Sequence, residues 1–158
     1  MKSLALIPPS FLLLVSTSLA DWPFWRGDLA GSGVTTETKL PTEWDKEKNV
    51  KWRVALSEAG NSSPVISGDR IFLTQPNTEK KLRGLLCLDR KSGKTLWEKS
   101  VEYDAKERTH RTNHFCSSSP ATDGERVIVA YGSAGIFCYT HDGRELWQQD
   151  LGTIDHVW

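Results

Sequence analysis

The chain has 158 residues, and its 20 Lys and Arg balance its 20 Asp and Glu to give a formal net charge of zero. A nucleic-acid-binding protein usually carries a basic face, so this even balance argues against a nucleic-acid partner. The unusual number is the seven Trp, against one Met and three Tyr, which indicates a repeated packing position or a binding surface.

Residues 1–20 have the order of a secretory signal peptide, with Lys2 before apolar residues between 4 and 15. Ser18 and Ala20 then place small residues where a signal peptidase cuts. Two prolines interrupt the apolar stretch, which is shorter than the about 20 residues of a membrane span. We therefore expect an exported protein, periplasmic or extracellular, that has no transmembrane span after cleavage.

Two segments of the chain repeat each other, residues 62–73 and residues 118–129. Each begins with Ser-Ser-Pro and continues through a short strand to a turn that contains Gly, an acid and Arg. Each ends in a strand of β-branched and apolar residues. This pattern predicts a β-hairpin in each copy.

A second hairpin follows each of these, and its last strand carries a Trp four residues after a turn Gly. The pairs are Gly93 with Trp97 and Gly143 with Trp147, and a third copy of the final strand surrounds Trp52. Successive Trp residues of this series are 45 and 50 residues apart. Four short strands per unit at this period predict the blades of a β-propeller.

The predicted fold is therefore all-β, with four-stranded antiparallel blades at about 57–100 and 116–151 in a domain of residues 21–158. We predict an extra outer strand at 50–56, and equivalent, largely buried positions for Trp97 and Trp147. Because a blade needs a neighbour on each face, we expect a truncated propeller that is not a well-packed monomer. A two-sheet sandwich that folds alone is the alternative.

The motif Asp89-x-x-x-Gly93-Lys94-x-x-Trp97 resembles the tryptophan-docking repeat of the pyrroloquinoline-quinone-like family, which includes quinoprotein alcohol dehydrogenases and BamB-like scaffolds. The second copy is weaker, since Thr140 replaces the Asp. The stretch from Trp22 to Gly27 is also similar to the start of mature members. The resemblance implies an amino-terminal fragment of such a propeller. It implies structural blade docking by six residues: Asp89, Gly93, Trp97, Gly143, Trp147 and Trp52.

Connectors between blades return to the funnel face of a propeller, and three are visible here, at 58–61, 101–115 and 152–158. The middle one is long and polar, and long loops are often functional. Its sequence is also typical of a solvated insertion, and no fixed carboxylate completes a metal site, so we predict no metal. The candidate ligand or partner surface comprises six residues: His110, Arg111, Asn113, His114, Asp155 and His156.

We expect a non-enzymatic module that binds a protein partner or a small ligand at the funnel face, with no catalytic residue and no cofactor. The resemblance implies one alternative, the amino-terminal part of a dehydrogenase that uses pyrroloquinoline quinone and calcium. Such enzymes hold the quinone against adjacent cysteines, whereas Cys87, Cys116 and Cys138 are far apart in sequence. A lectin-like or polysaccharide-associated propeller is a third possibility.

The first prediction concerns export. Signal peptidase should cut after Ala20, because small residues occupy positions 18 and 20 behind the apolar stretch. Amino-terminal sequencing of protein recovered outside the cytoplasm should therefore begin at Asp21. Protein that keeps Met1 and stays in the cytoplasm would contradict this prediction.

Overall fold

The computed structural model describes residues 21–105, 107, 109–110, 112–113 and 115–154. These residues form two four-stranded antiparallel sheets in which neighbours in sequence are neighbours in the sheet. The predicted all-β class with about two blades is confirmed. The first sheet contains β1 (Val65–Ser67), β2 (Arg70–Asn77), β3 (Leu82–Asp89) and β4 (Thr95–Glu102); the second contains β5 (Ala121–Thr122), β6 (Arg126–Ala130), β7 (Ile136–Thr140) and β8 (Glu145–Gln149).

One short 3-10 helix, Gly132–Ala134, lies between β6 and β7. In the part of the chain that the structure describes, no helix has the length and apolar character needed to cross a membrane.

Corresponding residues of the two sheets stand in corresponding cross-strand rows. In the first sheet, Val65, Phe72, Cys87 and Trp97 lie opposite one another on successive strands. This row faces the second sheet, whose Val127, Val129 and Tyr139 complete the same buried cluster. The row equivalent to it in the second sheet consists of four residues: Ala121, Ile128, Cys138 and Trp147.

The contact between the sheets is fixed by the ring of Trp97 over the β7–β8 turn. Gly143 has φ 86°, and a Cβ added there would lie 2.9 Å from the ring, so a side chain would both strain the backbone and strike the indole. The indole N–H of Trp97 donates a hydrogen bond to the carbonyl of His141 at 2.9 Å. The Trp therefore docks on the glycine turn of the following unit.

Trp52 repeats this docking one unit earlier. Its ring would lie 2.6 Å from a Cβ at Gly93, and its indole N–H donates to the carbonyl of Arg90 at 3.0 Å. The ring also packs on an apolar cluster of the other face of the first sheet, which includes Leu73 and Leu86. The docking positions predicted for Trp52 and Trp97 are thus two copies of one arrangement.

The two glycine turns are closed by different side chains. The carboxylate of Asp89 accepts hydrogen bonds from the hydroxyl of Ser92 and, at 2.7 Å, from its backbone N–H, and these bonds lower the pKa of Asp89. At the equivalent turn the hydroxyl of Thr140 accepts the N–H of Arg144 at 3.1 Å. Thr140 therefore keeps the turn closed although the Asp of the repeat is missing.

Two details of the prediction are corrected by the structure. Residues 50–56 form no strand, because no described strand lies beside them to complete a ladder, although Trp52 still docks. Trp147 stands on the outer strand as predicted but is 44% exposed, so its predicted burial is wrong. A docked Trp is covered by the glycine turn of a following unit, and no described glycine turn lies over Trp147.

Residues 22–24 bind both sheets together at their innermost strands. Trp22 exchanges two backbone hydrogen bonds with Ile66, at 2.9 and 2.8 Å, and so lies beside β1. The carbonyl of Pro23 accepts the N–H of Thr122, in β5, at 3.0 Å. This segment crosses the end of the sheets that carries the β1–β2 and β5–β6 turns, which we call the turn end.

The second prediction compares the two outer-strand Trp residues. Trp97→Ala should lower the free energy of unfolding by about 3 kcal/mol, because the ring packs between the sheets against Phe72 and Tyr139. Trp147→Ala should cost clearly less in the same chain, about 1 kcal/mol, since Trp147 is 44% exposed. Urea unfolding of both variants measures the difference.

Equal costs for the two variants would contradict this prediction. They would mean that the Trp147 ring is also covered, by residues outside those described.

Candidate functional site

The predicted connector surface lies at the end of the sheets opposite the turn end, which we call the connector end. Two of its connectors meet there: the side-chain amide of Asn61 donates to the carbonyl of Thr112 at 2.9 Å and to the side-chain oxygen of Asn113 at 3.4 Å. The third connector approaches through Ile154, whose N–H donates to the Ser133 hydroxyl at 2.9 Å.

Within the middle connector, His110 and Asn113 form a tight turn. The N–H of Asn113 donates to the carbonyl of His110 at 2.9 Å, and the two residues pair as an isolated bridge. The His110 ring nitrogen Nδ1 lies 2.8 Å from the hydroxyl of Thr112. Both side chains are exposed, so the turn presents them outward.

Only these two of the six predicted surface residues can be placed. Four lie outside the described residues: Arg111, His114, Asp155 and His156. The predicted assembly of all six into one surface therefore stays a prediction.

A buried ion pair anchors the middle connector to the first sheet. Arg83 of β3 is 5% exposed, and its guanidinium donates to Glu107 and to the carbonyl of Tyr131. The guanidinium also lies over the rings of Tyr103 and Phe115, at 4.4 and 4.8 Å from their centroids. Aromatic faces and a carboxylate together compensate the charge that burial would otherwise leave unsolvated.

Glu107 also binds Ser133, which lies between β6 and β7 of the second sheet. Its carboxylate accepts the hydroxyl of Ser133 at 2.9 Å and the N–H of Ser133 at 3.3 Å. Burial by itself raises the pKa of Glu107, but the hydrogen bonds from Ser133 and Arg83 outweigh it and hold the pKa below its usual value. One carboxylate thus ties the loop to both sheets.

This anchor was not predicted from the sequence. A single signal was present, since Arg83 interrupts the otherwise apolar β3 sequence Leu-Arg-Gly-Leu-Leu-Cys-Leu. An arginine inside a buried strand requires a partner. Nothing in the sequence identifies Glu107 as that partner.

The three cysteines are buried and form no disulfide. Burial raises the pKa of the Cys87 and Cys116 thiols to about 11 and also raises that of Cys138, so all three are protonated at neutral pH. They pack as small apolar side chains, Cys87 in β3, Cys138 in β7 and Cys116 in the connector before β5. Among the described residues, no group of three or more His, Cys, Asp or Glu side chains could hold a metal ion.

The fold and the repeat place this chain in the class of propeller proteins built from tryptophan-docking blades. The family model described as outer membrane protein assembly factor BamB matches residues 32–154, and the chain belongs to that family. A similar solved structure is BamB from Moraxella catarrhalis, with 21% identity and a TM-score of 0.44. The match covers 63% of this chain and 26% of that one. No curated protein matches the sequence.

The third prediction concerns the anchor. Glu107→Gln should destabilise the protein by about 3 kcal/mol, because it leaves the Arg83 guanidinium buried without its counter-charge. The matched control is Asp104→Asn on the same connector, which removes an ion pair with Lys81 whose side chains are exposed. That change should cost less than about 1 kcal/mol.

The same carboxylate should add a pH dependence to stability. Its folded pKa is depressed, so its contribution is complete above the ordinary value of 4.5 and is lost as the pH falls through the folded pKa. Denaturant unfolding between pH 7 and pH 3 should show a smaller loss in Glu107→Gln than in the unaltered protein. Identical pH profiles for the two proteins would contradict the anchoring role.

Proposed function

We propose that this chain is part of an exported, non-enzymatic propeller that binds a protein partner as a scaffold, in the periplasm or outside the cell. The observation that carries the proposal is the middle connector, whose Glu107 is bound by both sheets while His110 and Asn113 face solvent. The description of its family, an outer membrane assembly factor, supports a role in holding another protein.

The physical reason is preorganisation. Glu107 is held by a buried ion pair and Thr112 by the Asn61 hydrogen bond, so these described parts of the loop have less conformational freedom to lose when the loop binds. A partner then gains the contact energy without the cost of ordering the loop. Exposed polar side chains on a fixed loop are typical of a recognition surface on a rigid scaffold.

The fourth prediction tests this surface in the protein as its host produces it. A photo-crosslinking amino acid at His110 or Asn113 should capture one defined extracytoplasmic protein. The same amino acid at Lys94, an exposed residue of the turn end, is the control and should not capture it. The captured protein, once purified, should bind the unaltered scaffold and compete with the crosslink.

Equal capture at Lys94, or no binding by the purified candidate, would overturn the proposed connector surface. The enzymatic alternative is tested separately, by titrating the protein with pyrroloquinoline quinone and calcium and following dye-linked alcohol oxidation. We expect no cofactor-dependent turnover. Saturable turnover would place the protein among the quinone-dependent dehydrogenases.

A further inference from the structure

A second concave surface lies at the turn end, away from the connectors. It is a cleft of about 600 Å³ between residues 21–36 and the β1–β2 and β5–β6 turns. This volume falls within the range of ordinary ligand sites. The proposed function of the connector end makes no use of it.

Four apolar side chains form much of its wall. Trp22 and Phe24 are half-buried, whereas Leu29 and Val34 are 88% and 72% exposed at its edge. Exposed apolar side chains that lie together along a cleft are typical of ligand-binding grooves. The wall therefore suits a ligand that has an apolar body.

The charged groups of the wall are all acidic. Asp21, Asp28 and Asp123 line the cleft, and no basic side chain does so among the described residues. Arg90 pairs with Asp21 at 3.8 Å and Arg126 with Asp123 at 2.7 Å, but both arginines lie outside the lining. A ligand that enters the cleft therefore meets carboxylate oxygens and no cation.

Two of these carboxylates, those of Asp28 and Asp123, have lowered pKa values and are ionised at neutral pH. Hydrogen bonds from the backbone and hydroxyl of Ser32 lower the pKa of Asp28. Backbone N–H groups of Arg126 and Glu125, more than the Arg126 side chain, lower the pKa of Asp123 to about 2. The charge on the wall is thus permanent, and it disfavours an anionic ligand.

One hydroxyl of the wall has no hydrogen-bond partner among the described residues. Ser67 is 5% exposed as a residue and lines the cleft, and its side chain makes no hydrogen bond to any described residue. Its oxygen is therefore open to a hydrogen bond from a ligand or from water that enters the cleft. A ligand that donates hydrogen bonds suits both this oxygen and the carboxylates.

We propose that the cleft binds a lysine side chain on an extended segment of a partner protein. The four-carbon stem of lysine packs on apolar walls while its ammonium group, with three N–H donors, reaches the acidic oxygens. Arginine fits less well, because its planar fork needs a carboxylate with both oxygens open, and those of Asp28 and Asp123 are already hydrogen-bonded.

The volume favours a polypeptide over a small amine, since one lysine side chain leaves much of the cleft empty and flanking residues fill the remainder. This site is distinct from the connector surface and rests on the proposed function only for the statement that the partner is a protein. Variants at the two ends are measured separately, so either proposal can fail alone.

The experiment uses fluorescently labelled peptides and the protein as its host exports it. A peptide with Leu-Lys-Leu at its centre should bind saturably, and replacing its lysine by norleucine should weaken binding about tenfold. Binding of the lysine peptide should also weaken as salt rises from about 50 mM to about 500 mM.

Variants of the protein locate the site. Asp28→Asn should weaken the lysine peptide about threefold and leave the norleucine peptide unchanged, because it removes charge from the wall. Leu29→Ser should weaken both peptides, since it removes part of the apolar wall. The matched control is Asp45→Asn, which changes an exposed Asp of a similar turn outside the cleft and should alter neither.

Three results would overturn the proposal. The first is equal affinity for the lysine and norleucine peptides, which would show that charge has no part in binding. The second is an equal effect of Asp28→Asn and Asp45→Asn. The third is displacement of the peptide by free butylamine at the same concentration as by unlabelled peptide, which would make the ligand a small amine.

Discussion

The ring of a tryptophan over a glycine turn is the contact on which this structure depends. The ring lies over a backbone that has no Cβ, and the indole N–H donates to a carbonyl earlier in the turn, two residues before the glycine for Trp97 and three before it for Trp52. An apolar contact alone would leave the sheets free to slide, whereas the added hydrogen bond fixes one position. Trp52 makes this contact with the first sheet and Trp97 makes it with the second, so the preceding part of the chain is positioned on each sheet in the same way. The buried cluster between the sheets follows from it, because it places Phe72 against Tyr139 and Val127.

Once the two sheets are fixed, a loop that bridges them acquires a fixed shape. Glu107 uses this geometry, because Arg83 lies in the first sheet and Ser133 lies in the short helix that joins β6 to β7 of the second. If the sheets moved relative to each other, the carboxylate would lose one partner and a buried charge would remain unpaired, at a cost of several kcal/mol. The ion pair and the tryptophan contact therefore support each other. The exposed turn at His110 is a consequence of both.

The local features of this structure could be predicted from the sequence, whereas most of its long-range contacts could not. The Gly turns, the strands and the docking of Trp97 were predictable because each depends on residues that recur at a fixed spacing. The partnership of Arg83 with Glu107 was not, since it joins residues 24 apart that only the folded sheets bring together. The predicted burial of Trp147 was wrong for a related reason. A ring is buried by the unit that packs on it, and the residues next to Trp147 in sequence do not specify that unit. At the candidate surface, His110 and Asn113 could be predicted to lie together because they are only three residues apart in sequence.

The two sheets are held together by different contacts at their two ends, and this difference suits the ends to different partners. At the connector end, polar side chains satisfy one another, so that Arg83, Glu107 and Asn61 have few groups left for a ligand. Recognition there falls to the shape of the loop and to the exposed side chains of its turn. At the turn end, Trp22 and Pro23 join the sheets through backbone hydrogen bonds. Their side chains, with those of Leu29 and Val34, are therefore free to form a cleft wall. A backbone-built junction can tolerate substitution of wall side chains, whereas the connector end cannot lose its buried charges without losing the loop's shape.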